Sequence, residues 1–363
     1  MIARPKLTLR SLNVRAVNAP LARPVRTASG NIEVAPLVLL NLVTEEGVTG
    51  TSYVFCYTPV ALQPVATLLA NIGTLVKGDT VAPADIAAKL EQRFRLLGPQ
   101  GLVTIAMAAL DMAAWDALAR AAGLPLVELL GGRARPLRAY DSYGMVEVRE
   151  VAEIAGAAAS AGFRAMKIKV GYADVRDDVK AIREVRGSAG DAMTLMIDYN
   201  QSLTLAEALR RARVVDEERL DWVEEPLRAD DDVGHAQLAA AMRTPLQLGE
   251  NWWGINDMTR SIAARACRLA MPDVMKIGGV TGWMRAAALA QSAGLPVSSH
   301  LFPEISAHLL AVTPTADWLE YLDFAKPLLK EPVRIVDGCV TAPSRPGTGL
   351  EWDEEAVKRF AAK

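Results

Sequence analysis

Paired cysteines are missing from this sequence. Cys56, Cys267 and Cys339 are odd in number, far apart and without CxxC spacing, so neither a disulfide framework nor a thiolate metal site is indicated, and a reduced, cytoplasmic setting is expected. An excess of charge of either sign is missing too. Lys and Arg number 40 against 42 Asp and Glu, a net charge of −2, and with no Lys/Arg block neither nucleic acid nor an anionic membrane is an expected partner. Long apolar runs are also scarce. Met1 to Arg15 alternates apolar and polar residues without a continuous signal-like core, and no stretch is expected to reach the ~20 apolar residues of a spanning helix. No low-complexity linker or short-period repeat is visible. What the chain does have is 51% apolar residues over 363 positions, enough for a sizeable core in two domains or in one large barrel with additions.

Leu7 to Val17 reads as a strand, and Pro36 to Val43, Glu45-Glu46-Gly47 and Thr49 to Phe55 read as a hairpin. Between them, Ala19 to Val34 carries Pro20, Pro24 and Gly30 and reads as a loop long enough to be a lid. Pro59 to Val76, Pro83 to Leu97 and Leu102 to Ala122 have helical spacing. Sheet followed by helices gives an α+β module over residues 1–133, ended by Gly123-Leu124-Pro125 and Gly131-Gly132-Arg133. Beyond it, short apolar runs alternate with helical segments: Arg138 to Ser142, Arg164 to Val170, Met193 to Asn200, Trp222 to Pro226, Pro245 to Glu250, Arg268 to Asp273, Pro296 to His300 and Trp318 to Leu322. Eight βα-like units over residues 134–330 predict a parallel barrel. The tail, 331–363, has a strand-like stretch from Val333 to Val340 and is expected to pack back on the first module.

Lys167-Ile168-Lys169 places two ammonium groups on one face of an apolar strand. Mutual repulsion and desolvation would depress at least one lysine pKa, as a base requires; solvated charges blunting an edge strand are the other reading. The remaining strand ends weigh against that reading. Asp198 and Asn200, Glu224 and Glu225, Glu250, Asp273, His300 and Glu320 all fall at or near the C-terminal ends of apolar strands, where barrels place their chemistry and where unpaired ionisable groups are costly to bury. Asp198, Glu224 and Glu250 recur at intervals of 26 residues, one βα repeat each. Three hard oxygen ligands converging from consecutive strands suit Mg²⁺. His300, one strand on from Asp273, has a carboxylate to fix its tautomer. Lys169 and His300 should then face each other across the mouth with the carboxylates between, the arrangement that removes a proton from one face of a carbon and returns it to the other. His235 and His308 read as structural, Trp252-Trp253 as packing, and Gly278-Gly279 as a tight turn rather than a phosphate cradle.

This set resembles the enolase superfamily and its mandelate racemase subgroup over essentially the whole chain: Lys-x-Lys, Asp-x-Asn, Glu-Glu-Pro, Gly-Glu-Asn, Pro-Asp-x-Met-Lys-Ile-Gly-Gly, Ser-Ser-His and Trp-Leu-Glu. The resemblance implies a modified (β/α)7β TIM barrel with an N-terminal α+β cap completed by the C-terminal tail. It implies Mg²⁺ on Asp198, Glu224 and Glu250, Lys169 as base for an S 2-hydroxy acid, and His300 with Asp273 as base for the R enantiomer. Lys167 would lower the Lys169 pKa and touch the substrate carboxylate, Asn200 would bind the α-hydroxyl, and Glu320 would be a protonated acid donating to the enolate. Val25, Ser29 and Ile32 would line the lid, and Ser142, Lys276, Leu301 and Leu322 the pocket. Ser29 stands where an aliphatic side chain is expected, which leaves room for a 2-hydroxy acid other than mandelate. A homo-oligomer, as an octamer, is also implied. The competing expectations are an acid-sugar dehydratase, which needs the same bases and metal, a cycloisomerase or dipeptide epimerase, and a non-catalytic barrel.

Overall fold

The computed structural model describes residues 6–28 and 30–362. Ser29, one of the expected lid residues, lies outside the described residues. The chain opens with an antiparallel sheet of β1 (Leu9–Thr27), β2 (Gly30–Thr44) and β3 (Thr49–Phe55) in that spatial order. Three helices follow: α1 (Pro59–Val76), α2 (Pro83–Phe94) and α3 (Leu102–Ala122). Two of these correct the expectation about apolar runs, because α1 and α3 are long and apolar enough to cross a membrane by length and composition alone. In α3 that apolarity serves the core: Ile105, Ala109, Leu110, Met112 and Ala113 are buried, as a helix covered on most sides requires.

The stretch expected as a loop from Ala19 to Val34 is instead a long hairpin. Strands β1 and β2 stay paired to its tip, Val25 opposite Ile32 and Thr27 opposite Gly30, with an irregularity between Pro20 and Val25. Pro20 and Pro24 hide the strand in the sequence because they lack a donor, yet a register irregularity tolerates them.

After the short α4 (Leu126–Leu129), the barrel alternates strand and helix. Its elements are β4 (Leu137–Tyr143), α5 (Val151–Ser160), β5 (Ala165–Lys169), α6 (Val175–Ala189), β6 (Thr194–Asp198), α7 (Leu205–Val215), β7 (Val223–Glu224), α8 (Asp232–Ala241), β8 (Leu246–Leu248), α9 (Ile255–Ala264), β9 (Leu269–Ala270), α10 (Gly279–Ala293), α11 (Pro303–Val312) and β10 (Leu319–Tyr321). The parallel order is β10-β4-β5-β6-β7-β8-β9. The expected seventh strand, Pro296 to His300, is present as bridges only: Val297 pairs with Ala270 on one side and Ala316 on the other, and His300 with Asp273. Those bridges close the gap between β9 and β10, so the parallel sheet curls into the modified TIM barrel with its N-terminal antiparallel cap.

The tail reaches both parts. β11 (Cys339–Val340) pairs antiparallel with barrel strand β4, a contact beyond the expected packing on the first module. Beyond α12 (Glu354–Arg359), Ala361 bridges Val17 of β1. Cap and barrel are also joined through α3, whose Asp111 carboxylate accepts from the backbone N–H of Thr281 at the start of α10 (2.9 Å) and from its hydroxyl. A carboxylate at a helix N-terminus satisfies donors that the helix itself leaves open. The Gly278-Gly279 turn is therefore filled by protein, as its reading as a tight turn expected. Asp111→Ala should cost about 1–3 kcal/mol, since it strands buried donors; urea unfolding would measure it.

Candidate active site

Barrel register places the chemistry. Lys169 is paired with Asp198 across β5 and β6, and Asp198 with Glu224 across β6 and β7, so three charged groups stand at one level on adjacent strands. Glu250 follows one residue after Gly249 at the end of β8. One carboxylate oxygen from each of Asp198, Glu224 and Glu250 lies within 4.8 Å of the others, and all three residues are buried. A divalent cation 2.0–2.1 Å from each oxygen fits such spacing, and hard, buried, like-charged oxygens are the donor set Mg²⁺ takes. These three residues could hold it.

The two lysines are separated by depth. Lys167 is 1% exposed, with Nζ 2.6 Å from Glu224 Oε1 and 2.9 Å from Glu320 Oε1. Lys169 is paired with Asp198 and reaches the cavity above. The expected depression of a lysine pKa is not what this arrangement produces. Burial pushes both ammonium groups down, but the carboxylates, Glu224 and Glu320 around Lys167 and Asp198 and Glu250 around Lys169, outweigh it and hold both pKa values above the usual lysine value. The two lysines repel each other, but four acids that tertiary structure brings in decide their charge.

His300 Nδ1 lies 2.6 Å from Asp273 Oδ2; a carboxylate only accepts, so Nδ1 carries a proton, and Nε2 is the ring nitrogen that faces the site. Nε2 is 3.1 Å from Glu250 Oε2 and 3.8 Å from Glu320 Oε2. Burial lowers the imidazole pKa, but Glu250, Glu320 and Asp273 together raise it to about 10. Asp273 is itself held by the backbone N–H of Met275 at 2.7 Å and Lys276 at 3.2 Å. Glu320 differs from expectation. Burial favours its neutral form, yet Lys167 and His300 beside it bring the carboxyl down to about 2, and it accepts from the Leu301 N–H at 2.8 Å. In this arrangement it is an ionised acceptor rather than a protonated donor.

Above these groups lies a cavity of about 880 Å³, lined by Val25, Ile32, Lys169, Asn200, Glu250, Lys276, His300, Leu301 and Leu322 among the expected residues. Ser142 and Lys167 do not line it. Ser142 is buried on β4, opposite Lys167 in register. Asn200 accepts from the Ala28 N–H at the hairpin tip, 3.2 Å away, which ties the expected hydroxyl-binding residue to the lid. The tip also lies on the end of β4, where Met145 N–H donates to Arg26 O at 2.8 Å. A Cβ on Gly144 would stand 2.7 Å from Arg26 N, so Gly144 permits this approach. Gly144→Ala should loosen the tip by overpacking, at a cost of about 1–3 kcal/mol, and speed amide exchange over residues 23–32.

Several lining residues were not anticipated. Tyr57, Gln201, Asn251, Trp253, Phe55 and Phe324 also face the cavity. Lys276 Nζ donates to Asn251 Oδ1 at 2.6 Å and sits 4.5 Å above the Tyr57 ring and 5.5 Å from that of Trp253. Asn251 in turn donates to Glu225 at 2.7 Å and Glu250 at 3.1 Å. Trp253 is thus a wall of the site and not packing alone. Of these groups Glu225 already has a signal in the sequence, its place directly after Glu224 at an apolar strand end, where a buried acid must find partners. Tyr57 carries no such signal, because its place depends on the docking of cap on barrel.

Fold and site together define an acid/base barrel enzyme built around a divalent cation. The chain belongs to the mandelate racemase/muconate lactonizing enzyme family of the enolase superfamily: residues 9–131 match the family's N-terminal domain and residues 149–356 the enolase C-terminal domain-like model. It is similar to an enolase from Bradyrhizobium solved with magnesium and mandelic acid, at 46% identity and a TM-score of 0.95 over 100% of both chains. It is also similar to a 3,6-anhydro-alpha-L-galactonate cycloisomerase from Streptomyces coelicolor, 32% identical over 90% of this chain and 91% of the relative. A third likeness is to an L-talarate/galactarate dehydratase from Salmonella typhimurium, with 27% identity and a TM-score of 0.93 over 100% of this chain and 94% of that one. The protein is accordingly an Mg²⁺-dependent enolase-superfamily enzyme.

Proposed function

We propose that the protein racemises a 2-hydroxy carboxylate, mandelate or a near relative, by moving the α-proton between two bases. The observation that carries this reading is the placement of Lys169 and the His300–Asp273 pair on the wall of one cavity, with the strands bearing Asp198, Glu224 and Glu250 between them in the barrel order. Magnesium held by those three carboxylates supplies a Lewis acid for the substrate carboxylate. The carboxylates that keep Lys169 and His300 protonated include Asp198 and Glu250, whose charge a bound Mg²⁺ would offset; Lys169 in its neutral form would then take the proton from the S enantiomer, and His300 Nε2, with Nδ1–H held by Asp273, would take it from R. Each returns what the other removes, so configuration inverts. Lys167 stays beneath the site and holds Glu224 and Glu320, and Asn200 orients the α-hydroxyl.

Val25, Ile32, Leu301, Leu322, Phe55 and Phe324 give the cavity an apolar wall, which suits an aryl or vinyl side chain; the relative solved with mandelic acid supports this choice. Acid-sugar dehydration is the second reading, supported by the likeness to the talarate/galactarate enzyme and by Thr27, Asn31, Glu33 and Gln201 on the same cavity. Three free cysteines suit a reduced, cytoplasmic setting, and an assembly of eight subunits rests on the family resemblance alone. Incubation with Mg²⁺ in deuterated water tests the reaction. Exchange of the α-proton of both mandelate enantiomers is expected; no exchange from either, with keto-acid release from an aldarate, would replace racemisation by dehydration.

A further inference from the structure

Outside the active site the described chain buries a second group of acids. Glu304, in the first turn of α11, is buried, and Asp323, two residues after β10, is half-buried with its Oδ1 shut off from solvent. Glu304 Oε2 accepts from the Tyr53 hydroxyl of β3 at 2.8 Å, and Asp323 Oδ2 from Tyr321 at 3.3 Å. The other oxygen of each, Glu304 Oε1 and Asp323 Oδ1, meets no N–H or O–H donor. Each carboxyl group sits close enough to the other to act on its charge. Two carboxylates in that position would repel and leave two buried acceptors unmet; one proton between them satisfies both.

We propose that Glu304 is a carboxylic acid, protonated at neutral pH, that donates to Asp323 and so acts as a positioning residue for the cavity wall. The clip joins three elements: cap strand β3 through Tyr53, barrel helix α11 through Glu304, and the segment after β10 through Asp323. That last segment carries Leu322 and Phe324, both cavity residues, with Phe324 packed at 4.7 Å on Phe55 of the cap. Holding Asp323 therefore holds one side of the substrate cavity against the cap.

The proton belongs to Glu304 on the surrounding charges. Burial raises both acids, and Asp323 pushes Glu304 further, whereas Lys326 beside Asp323 favours its ionised form. Tyr53 and Tyr321 are neutral donors whose own pKa values are raised by burial and by these acids. From the tail, Glu331 and Arg345 line the neighbouring cavity with Glu304, paired with each other at 3.1 Å. His308, one turn along α11, is held neutral by burial, with its pKa down to about 4.

A folded-state pKa above the unfolded value makes the stabilisation complete below the unfolded value and lost as pH rises through the folded one. Between those limits the folded chain binds one proton more than the unfolded chain. The wild-type unfolding constant should thus rise up to about tenfold per pH unit more than that of Glu304→Gln, whose amide keeps the hydrogen bond to Asp323 and cannot titrate. Urea unfolding from neutral to alkaline pH reads this directly, and equal slopes overturn the proposal. Asp323→Asn, which removes the neighbouring carboxylate but leaves Glu304 buried, should let the steep rise end at a lower pH than in wild type and serves if Glu304→Gln does not fold; an unchanged pH profile in Asp323→Asn overturns the pairing. At neutral pH, the infrared difference between wild type and Glu304→Gln should show the carbonyl band of a protonated carboxylic acid; its absence overturns the assignment. Neither readout depends on the substrate.

Discussion

His300→Asn should still exchange the α-proton of S-mandelate in deuterated water while losing exchange from R by about 10²–10⁴-fold, the usual contribution of a positioned base. Lys169→Met should do the reverse. The asymmetry follows from geometry: Lys169 belongs to β5 and Asp198 beside it, whereas His300 is held by Asp273 after β9, so removing either leaves the other base and the carboxylate cluster in place. Racemisation, which needs both, should vanish in each variant. Proton NMR of each enantiomer separates the two half-reactions, and loss from both enantiomers in each variant would count against two independent bases. The amide of His300→Asn stands where Nδ1 stood and keeps the polar contact with Asp273, which limits the change to the loss of the base.

Stripping Mg²⁺ with EDTA should abolish exchange from both enantiomers alike, and the effect should be visible in stability as well. Asp198, Glu224 and Glu250 bring three buried negative charges together, and the neighbouring lysines neutralise only part of that charge: Lys169 against Asp198, and Lys167 between Glu224 and Glu320. A cation that binds the folded chain alone stabilises it by mass action, about 2.7 kcal/mol at a hundred times its dissociation constant. Thermal unfolding with and without Mg²⁺ should therefore show an upward shift for wild type. Glu224→Ala should remove that shift together with the activity, because one of three ligands is lost and Lys167 is left with Glu320 alone. A wild-type protein whose melting temperature ignores Mg²⁺ would refute the assignment of these residues to the metal.

Much of the site could be read from strand ends. Asp198, Glu224 and Glu250 recur one βα unit apart, and a parallel barrel sends each unit's strand end to the same mouth, so sequence spacing alone made them neighbours. His300 with Asp273 followed from the same rule. Electrostatics did not follow. Lys167 and Lys169 look like a mutually depressed pair from two residues of sequence, but their pKa values are set by Asp198, Glu224, Glu250 and Glu320, which lie on other strands. Ionised Glu320 has the same cause, since Lys167 and His300 face it from different elements.

The hairpin over the cavity shows a second limit. Pro20 and Pro24 made Ala19 to Val34 look irregular, whereas pairing with β2 carries the strand past them to Thr27. The pairing of Val25 with Ile32 and Thr27 with Gly30 supplies what residue propensity in a proline-bearing stretch does not encode. Tyr57 and Trp253 were likewise out of reach, for they meet Lys276 from opposite sides of the cap–barrel junction.

By itself the sequence determined the alternation of strand and helix, the parallel barrel and the ring of acids and bases at its mouth, because periodicity and repeat spacing act locally or through one repeated geometry. Only the tertiary structure decided which of those groups are ionised, which line the cavity and which lie beneath it, how the tip of β1 and β2 comes to rest on Gly144, and that Glu304 meets Asp323 under the cap. Those outcomes depend on charges and surfaces that distant segments bring together, and a buried charge responds to everything within a few ångströms regardless of its place in the chain.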